Sequence, residues 1–393
     1  YTTAHTLSLH DALPILIDMK TKNYHRRQFI NQILGGSMTL AFTPNLFAQN
    51  FNFSEDDVDW YDVKEFGVEG KGWSETKKYF DRLPAKAEGF VRDQVWNLSR
   101  DSAGMCFRFV SDSPNIYVRY ELSKESLSMT HMAATGHSGV DLYAQDGMGI
   151  DRWVAVVRPG KQKMDTTLAK DLAPGSRRYT LYLPLRNGVE SLEIGVVRGQ
   201  SFTALSPRNE KPIVFYGTSI MHGACASRPG MAFPSILGRR LRRPIINLGF
   251  AGNGRMEIEV GSLLVELNPC VFVIDCLPNM NESTVSQRAV PLVKKIRETH
   301  EKTPILLVED RSFTSTRFFP ARKQRHQKNR IALKNAFKEL QNLGIKNIFY
   351  LDGDNLLGQD GEAATDGSHP SDLGMVRYAD AYEPALRAIL RQF

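Results

Sequence analysis

Four short segments in the C-terminal half carry residue types and spacings suited to acyl transfer. The first is Tyr216-Gly217-Thr218-Ser219-Ile220, which follows the apolar run Ile213–Tyr216. A serine placed just after a buried strand, with a glycine two residues before it, sits on a tight turn that can expose its hydroxyl as a nucleophile. The same position also suits a helix N-cap. In the second segment, Asn247-Leu248-Gly249-Phe250-Ala251-Gly252-Asn253-Gly254, the glycines let the backbone turn with its N–H groups exposed. That arrangement fits a donor to an oxyanion or a simple flexible turn, and no Lys-Ser/Thr pair follows to make a P-loop. The third, Asp275-Cys276-Leu277-Pro278-Asn279, ends in an amide that can face the same oxyanion or stabilise the turn after Pro278. In the fourth, Thr365-Asp366-Gly367-Ser368-His369-Pro370, an acid precedes an imidazole by three residues. Asp366 can fix the ring's tautomer while His369 accepts a serine proton, or it can simply cap an exposed histidine.

These segments need elements that bring them to one edge. Apolar runs at Ile213–Tyr216, Ile245–Leu248, Val271–Ile274, Ile305–Val308 and Ile348–Leu351 have no polar face, and helical stretches separate them. One such stretch is Gln327 to Leu343, with Leu333, Ala336, Phe337 and Leu340 on one stripe. Strand–helix alternation of this kind predicts a parallel sheet covered on both faces. The expectation is an α/β three-layer, flavodoxin-like domain over 212–393, with a five-stranded parallel sheet and its chemistry at the carboxyl ends of the strands.

The preceding half has a different rhythm. Ile116, Val118, Tyr120 and Leu122 alternate with Tyr117, Arg119 and Glu121, and Met105, Phe107 and Phe109 behave alike. Turn clusters such as Ser111-Asp112-Ser113-Pro114 and Arg186-Asn187-Gly188 divide the runs. Short alternating strands with regular turns predict an antiparallel β-sandwich of jelly-roll type over 52–200, followed by a linker over 201–211. Trp60, Trp73, Trp96 and Trp153 lie in this half, where core or interdomain packing is the expected use and glycan contact the alternative.

Taken together and in this order, Gly217-Thr218-Ser219-Ile220, Gly252, Asn279 and Asp366-x-x-His369 resemble the four blocks of the SGNH (GDSL-type) hydrolases. The run Ser138-Gly139-Val140-Asp141-Leu142-Tyr143 resembles the Gly-x-Asp-Leu-Tyr signature of a domain N-terminal to one SGNH subgroup. The resemblance implies Ser219 as nucleophile, His369 as base and Asp366 as its orienting acid. It implies an oxyanion hole from the N–H groups of Ser219 and Gly252 and the amide of Asn279. Two departures stand out: Thr218 replaces the aspartate of the family name, and Leu277-Pro278-Asn279-Met280 replaces the usual Gly-x-Asn-Asp. Asn279 is preferred to Asn281 because it lies nearer the strand end.

The implied activity is hydrolysis of O-acyl, chiefly O-acetyl, esters on carbohydrates. The alternatives are an esterase of lipids or other small esters and a catalytically silent glycan-binding protein. No cofactor and no metal are implied, since the sequence holds no His/Glu helical pair and no Cys-x-x-Cys. Arg228 and Arg311 are expected to contact substrate, as the strand ends place them near the catalytic edge. The basic stretch from Arg317 to Lys338 has an apolar face in its second part, so it reads as a solvated helix and no nucleic-acid partner is expected.

Length and charge bound the rest. The 393 residues are 42% hydrophobic and 24% charged, which excludes collagen, a disulfide miniprotein and a wholly disordered chain. No apolar run reaches the roughly 18–20 residues of a spanning helix. Residues 1–18 read as a non-native or upstream segment before Met19. Residues 19–48 read as an export signal, in which Arg26-Arg27-Gln28-Phe29-Ile30 resembles a twin-arginine motif. The expected location is therefore periplasmic or extracellular. Removing 1–48 takes away four cations and two acids, lowering the formal charge from +7 to +5. Cys106, Cys225, Cys270 and Cys276 are too scattered to form a framework and are expected to be free. An oligomer is possible.

Overall fold

A computed structural model describes residues 57–393; the upstream segment and the export signal lie outside the described residues. The first half is built on strands β1 (Val58–Asp62), β2 (Cys106–Ser111), β3 (Ile116–Leu122), β4 (Asp141–Gln145), β5 (Asp151–Val156), β6 (Lys163–Ala169), β7 (Arg177–Tyr182), β8 (Val189–Val197) and β9 (Phe202–Ala204). They form two antiparallel sheets, ordered β1-β8-β3-β6 and β5-β4-β7-β2-β9. In β3 the period is strict: Ile116, Val118, Tyr120 and Leu122 are buried and the residues between them are not. The inward residues of both sheets, among them Phe107, Phe109, Tyr179 and Ile194, form one core. Two short helices, α1 (Asp93–Ser99) and α2 (Ala134–His137), interrupt the strands.

The second half contains β10 (Ile213–Gly217), α3 (Ser219–His222), α4 (Phe233–Leu241), β11 (Ile245–Gly249), α5 (Ile258–Leu264), β12 (Val271–Asp275), α6 (Glu282–Arg297), β13 (Ile305–Val308), α7 (Pro320–Asn342), β14 (Ile348–Leu351) and α8 (Asp372–Gln392). The five strands are parallel, in the order β11-β10-β12-β13-β14. Strands β10, β11 and β12 are buried at every position, as a sheet covered on both faces requires. Ile213 and Phe215 face a core shared with Phe233 of α4 and Tyr378 and Tyr382 of α8. Val214 and Tyr216 face the opposite core, with Val260, Val293 and Leu333.

One stretch crosses the apparent division. Leu83, Ala87, Val91, Val95 and Trp96 fall in the range read as sandwich, yet they bury in the core that holds Val214, Tyr216 and Leu248. Trp73 packs against the same core and donates from Nε1 to Glu266 at 2.9 Å. Residues 57–393 thus belong to one compact unit. Among the described residues no helix is long and apolar enough to cross a membrane. All four cysteines are free, and Cys270 and Cys276 flank β12.

Candidate active site

The strand order reverses at β10, which pairs with β11 on one side and β12 on the other. In open parallel sheets the crevice at such a switch point is where ligands bind. Ser219 starts α3 two residues after the end of β10, and it is 9% exposed. Thr218 caps the turn by accepting from the Ile220 N–H at 3.4 Å, so the N-cap role belongs to Thr218 and leaves the serine hydroxyl free for another partner. As the first helical residue, Ser219 also has an N–H with no helical acceptor.

That other partner is His369, whose Nε2 lies 2.8 Å from Ser219 Oγ. The ring's Nδ1 lies 2.7 Å from Asp366 Oδ2. The same carboxylate accepts the N–H groups of Ser368 and His369 through Oδ1, at 3.0 and 2.8 Å. Burial alone would raise Asp366. The hydrogen bonds from the His369 N–H, its ring and the Ser368 N–H, with the ring's positive character, outweigh it and hold the carboxyl at about 2. Asp366 is therefore ionised at every neutral or mildly acidic pH and orients the ring with its full charge. Before α8, the loop is pinned at its ends by the Ala364–Pro370 bridge and by Thr314, whose N–H donates to Gly367 O at 3.0 Å.

After β11 the chain turns back over the serine. The Phe250 N–H donates to Gly217 O at 2.9 Å, and Gly252 adopts φ +70°. Gly254 is there for space: a Cβ would lie 1.9 Å from Gly217 O. Among the described residues the Gly252 N–H has no acceptor. Asn279, after β12, is oriented by this turn: with its amide assigned so that the oxygen faces the donors, Oδ1 accepts from the N–H groups of Asn253 and Gly254 at 3.0 and 3.2 Å. That leaves the two Nδ2 hydrogens for another acceptor. Asn281 is committed elsewhere, capping α6 by accepting from the Thr284 N–H at 2.9 Å.

The two arginines read as substrate contacts have other partners. Arg311 is a correction: it is 3% exposed, paired with Asp310, and bonded through Nε and Nη2 to the carbonyl and hydroxyl of Ser368. Buried in this way, it clamps the histidine loop from below and has no surface to offer a substrate. Arg228 pairs with Asp141 at 3.2 Å and with the Tyr143 hydroxyl. Asp141, fully buried, also accepts from Gly230 N–H at 2.8 Å and Trp153 Nε1 at 3.0 Å. The Gly-x-Asp-Leu-Tyr run thus docks the sandwich onto the loop that follows α3.

Sequence reasoning passed over Arg82. Its side chain is fully buried, and Nη1 donates to the carbonyls of Asn247 and Gly249 at 2.9 and 2.8 Å, anchoring the strand that leads into the Gly252 turn. Nε and Nη2 bond the carbonyls of Asp101 and Leu98 at 2.8 and 2.6 Å. Burial lowers it to about 10, still protonated at neutral pH. No motif marks it, because a lone arginine amid polar residues looks like surface. His222, in the same short helix as Ser219, is no rival base. Burial, then the neighbouring Arg82 and Arg186, push it well below its ordinary range. A cavity of about 690 Å³, lined by Arg178, Arg239 and Arg243, reaches Ile245 at the opposite strand ends, away from Ser219.

Comparison with known proteins bears on the family. Residues 210–387 match the model of the GDSL-like lipase/acylhydrolase family, and residues 58–202 that of the N-terminus of SGNH-hydrolase-type esterases. A crystal structure of a Bacteroides ovatus protein assigned to the GDSL-like lipases is 30% identical, covering 85% of this chain and 98% of that one, with a TM-score of 0.82. The chain belongs to the GDSL-like lipase/acylhydrolase family. It is an ester-hydrolysing SGNH hydrolase with the N-terminal domain of SGNH-hydrolase-type esterases. A salicylyl-acyltransferase from a tetracycline biosynthetic pathway shares the fold at 20% identity, over 82% of this chain and 94% of that one, with a TM-score of 0.65. A family two carbohydrate esterase from Cellvibrio japonicus shares it at 12% identity, over 85% and 98%, with a TM-score of 0.56. No protein of curated function matches the esterase.

Proposed function

We propose that this esterase is exported and removes O-acyl groups, chiefly O-acetyl, from carbohydrates through an acyl-enzyme on Ser219. The observation that carries the mechanism is the unbroken chain Ser219 Oγ–His369 Nε2–Asp366, at 2.8 and 2.7 Å. Ser219 Oγ attacks the ester carbonyl as His369 takes its proton, and Asp366 stabilises the resulting imidazolium. The tetrahedral oxyanion accepts from the N–H groups of Ser219 and Gly252 and from Asn279 Nδ2. His369 then protonates the departing sugar hydroxyl, and a water molecule repeats the sequence to release the acid.

Two features support a carbohydrate as the alcohol. The two-domain layout is shared with the Cellvibrio japonicus carbohydrate esterase and with one from Clostridium thermocellum solved with cellohexaose, the latter at a TM-score of 0.50. Four residues beyond Thr314, whose N–H bonds Gly367 of the histidine loop, Phe318 is 76% exposed and offers an aromatic face to a sugar ring. Acetate release from a panel of acetylated oligosaccharides and lipid esters tests the reading, with Ser219→Ala alongside. The oligosaccharides should react faster, and the variant should lose on the order of 10⁴-fold or more in turnover. Preference for lipid esters would overturn the substrate, and an unchanged Ser219→Ala the mechanism. N-terminal sequencing of protein recovered from outside the cytoplasm tests export, with cleavage expected near Ala48.

A further inference from the structure

The catalytic histidine has a second set of neighbours that hydrolysis does not use. His131, on a loop of the sandwich half, stacks on His369 with ring centroids 5.5 Å apart and an interplanar angle of 29°. Cys225, on the loop after α3, donates its thiol to the His131 carbonyl at 3.1 Å. The candidate donor atoms of His131, Cys225 and His369 all lie within 4.8 Å of one another. Each of the three residues is half-buried, so the cluster is both sheltered and reachable from solvent.

We propose that His131, Cys225 and His369 form a zinc site whose occupancy switches the esterase off. Two imidazoles and one thiolate are the donor set zinc prefers, with the fourth tetrahedral position left to water. Bond lengths of about 2.0–2.1 Å to nitrogen and about 2.3 Å to sulfur put tetrahedral donors roughly 3.3–3.6 Å apart. The three donors must therefore draw together by about an ångström to bind the ion. Burial, and secondarily the Asp366 carboxylate, push the Cys225 thiol up to about 11, so the free enzyme carries it protonated. Binding therefore forms one Zn–S bond with release of the thiol proton to solvent, and two Zn–N bonds to neutral imidazoles.

The consequence for activity follows from what His369 already holds. Its Nε2 is bonded to Ser219 and its Nδ1 to Asp366, so coordination through either nitrogen replaces one link of that chain. This part of the proposal rests on His369 being the base; the binding part does not. Because His131 comes from the sandwich and Cys225 from the hydrolase half, the site also gives the sandwich a direct hold on the catalytic residue.

Calorimetry with zinc chloride on the metal-free protein, and absorption spectra with cobalt(II) as a probe, test the site. Wild type should bind one zinc and give a thiolate-to-cobalt charge-transfer band. Cys225→Ser should lose that band, and Cys225→Ser and His131→Ala should each weaken zinc binding about 100-fold or more. In parallel, zinc should inhibit wild-type ester hydrolysis reversibly, with chelator restoring it, and should inhibit Cys225→Ser only at about 100-fold higher concentration. Equal zinc affinity in wild type and both variants overturns the site. Tight binding with no loss of hydrolysis overturns the switch. If wild type hydrolyses no ester at all, it is the proposed function that fails, and the calorimetry still decides the site.

Discussion

The two loops that meet at Ser219 are held in opposite ways. The Asp366–His369 pair of the histidine loop is oriented locally: the two are three residues apart and the carboxylate takes three hydrogen bonds from Ser368 and His369, with Arg311 added from the stretch after β13. The glycine turn is held from a distance. Arg82 reaches Asn247 and Gly249 from the other half of the chain, and Arg92 donates to Asn253 Oδ1 at 2.9 Å and to Glu257. Proton transfer needs a short, self-orienting pair, which a few consecutive residues can supply. The proposed oxyanion hole would need backbone N–H groups fixed against solvent and against recoil, and the side chains that hold this turn lie over 150 residues away in sequence.

Substitutions can break this contrast. Asp366→Asn should cost on the order of 10⁴-fold in kcat through the wrong tautomer, while thermal unfolding stays near wild type because the side chain is 40% exposed and the amide keeps an oxygen acceptor. Arg82→Met should act first on stability, lowering unfolding free energy by about 3–5 kcal/mol as buried carbonyls lose their donor. Denaturant titration checks it, and an unchanged midpoint would mean the glycine turn does not depend on Arg82. Asn279→Ala should lower kcat by about 100-fold to 1,000-fold with little change in KM, as loss of one oxyanion donor does. A pure KM effect would instead make Asn279 a substrate contact. The smallest expected change is Gly252→Ala, where a side chain at φ +70° costs about 1–2 kcal/mol but meets no neighbour within 4 Å. Its stability loss should come without a clash-driven rearrangement, visible as a crystal structure superposing on the wild type.

Much of the site was legible because its signals are local. Strand periodicity placed β10 to β14 within a residue or so, and Ser219, Gly252, Asn279 and the Asp366–His369 pair sit at their carboxyl ends. The alternation of Ile116, Val118, Tyr120 and Leu122 likewise announced the sandwich. Arg311 was misread because position after a strand does not say which way a side chain points; here it turns inward to Asp310 and Ser368. Trp153 shows the intermediate case: half exposed, it is tied through Nε1 to Asp141 and faces the Arg228 guanidinium at 5.2 Å.

The sequence by itself determined element types, their order and the chemistry of the short motifs, since hydrophobic period and turn residues act over a few positions. Only the tertiary structure decided what lies beside the serine. It drew residues 83–96 out of the sandwich range into the hydrolase core, put Arg82 beneath the glycine turn, and stacked His131 on His369. Those are contacts between distant residues, set by which buried surfaces and unpaired carbonyls need one another, and no local pattern records them.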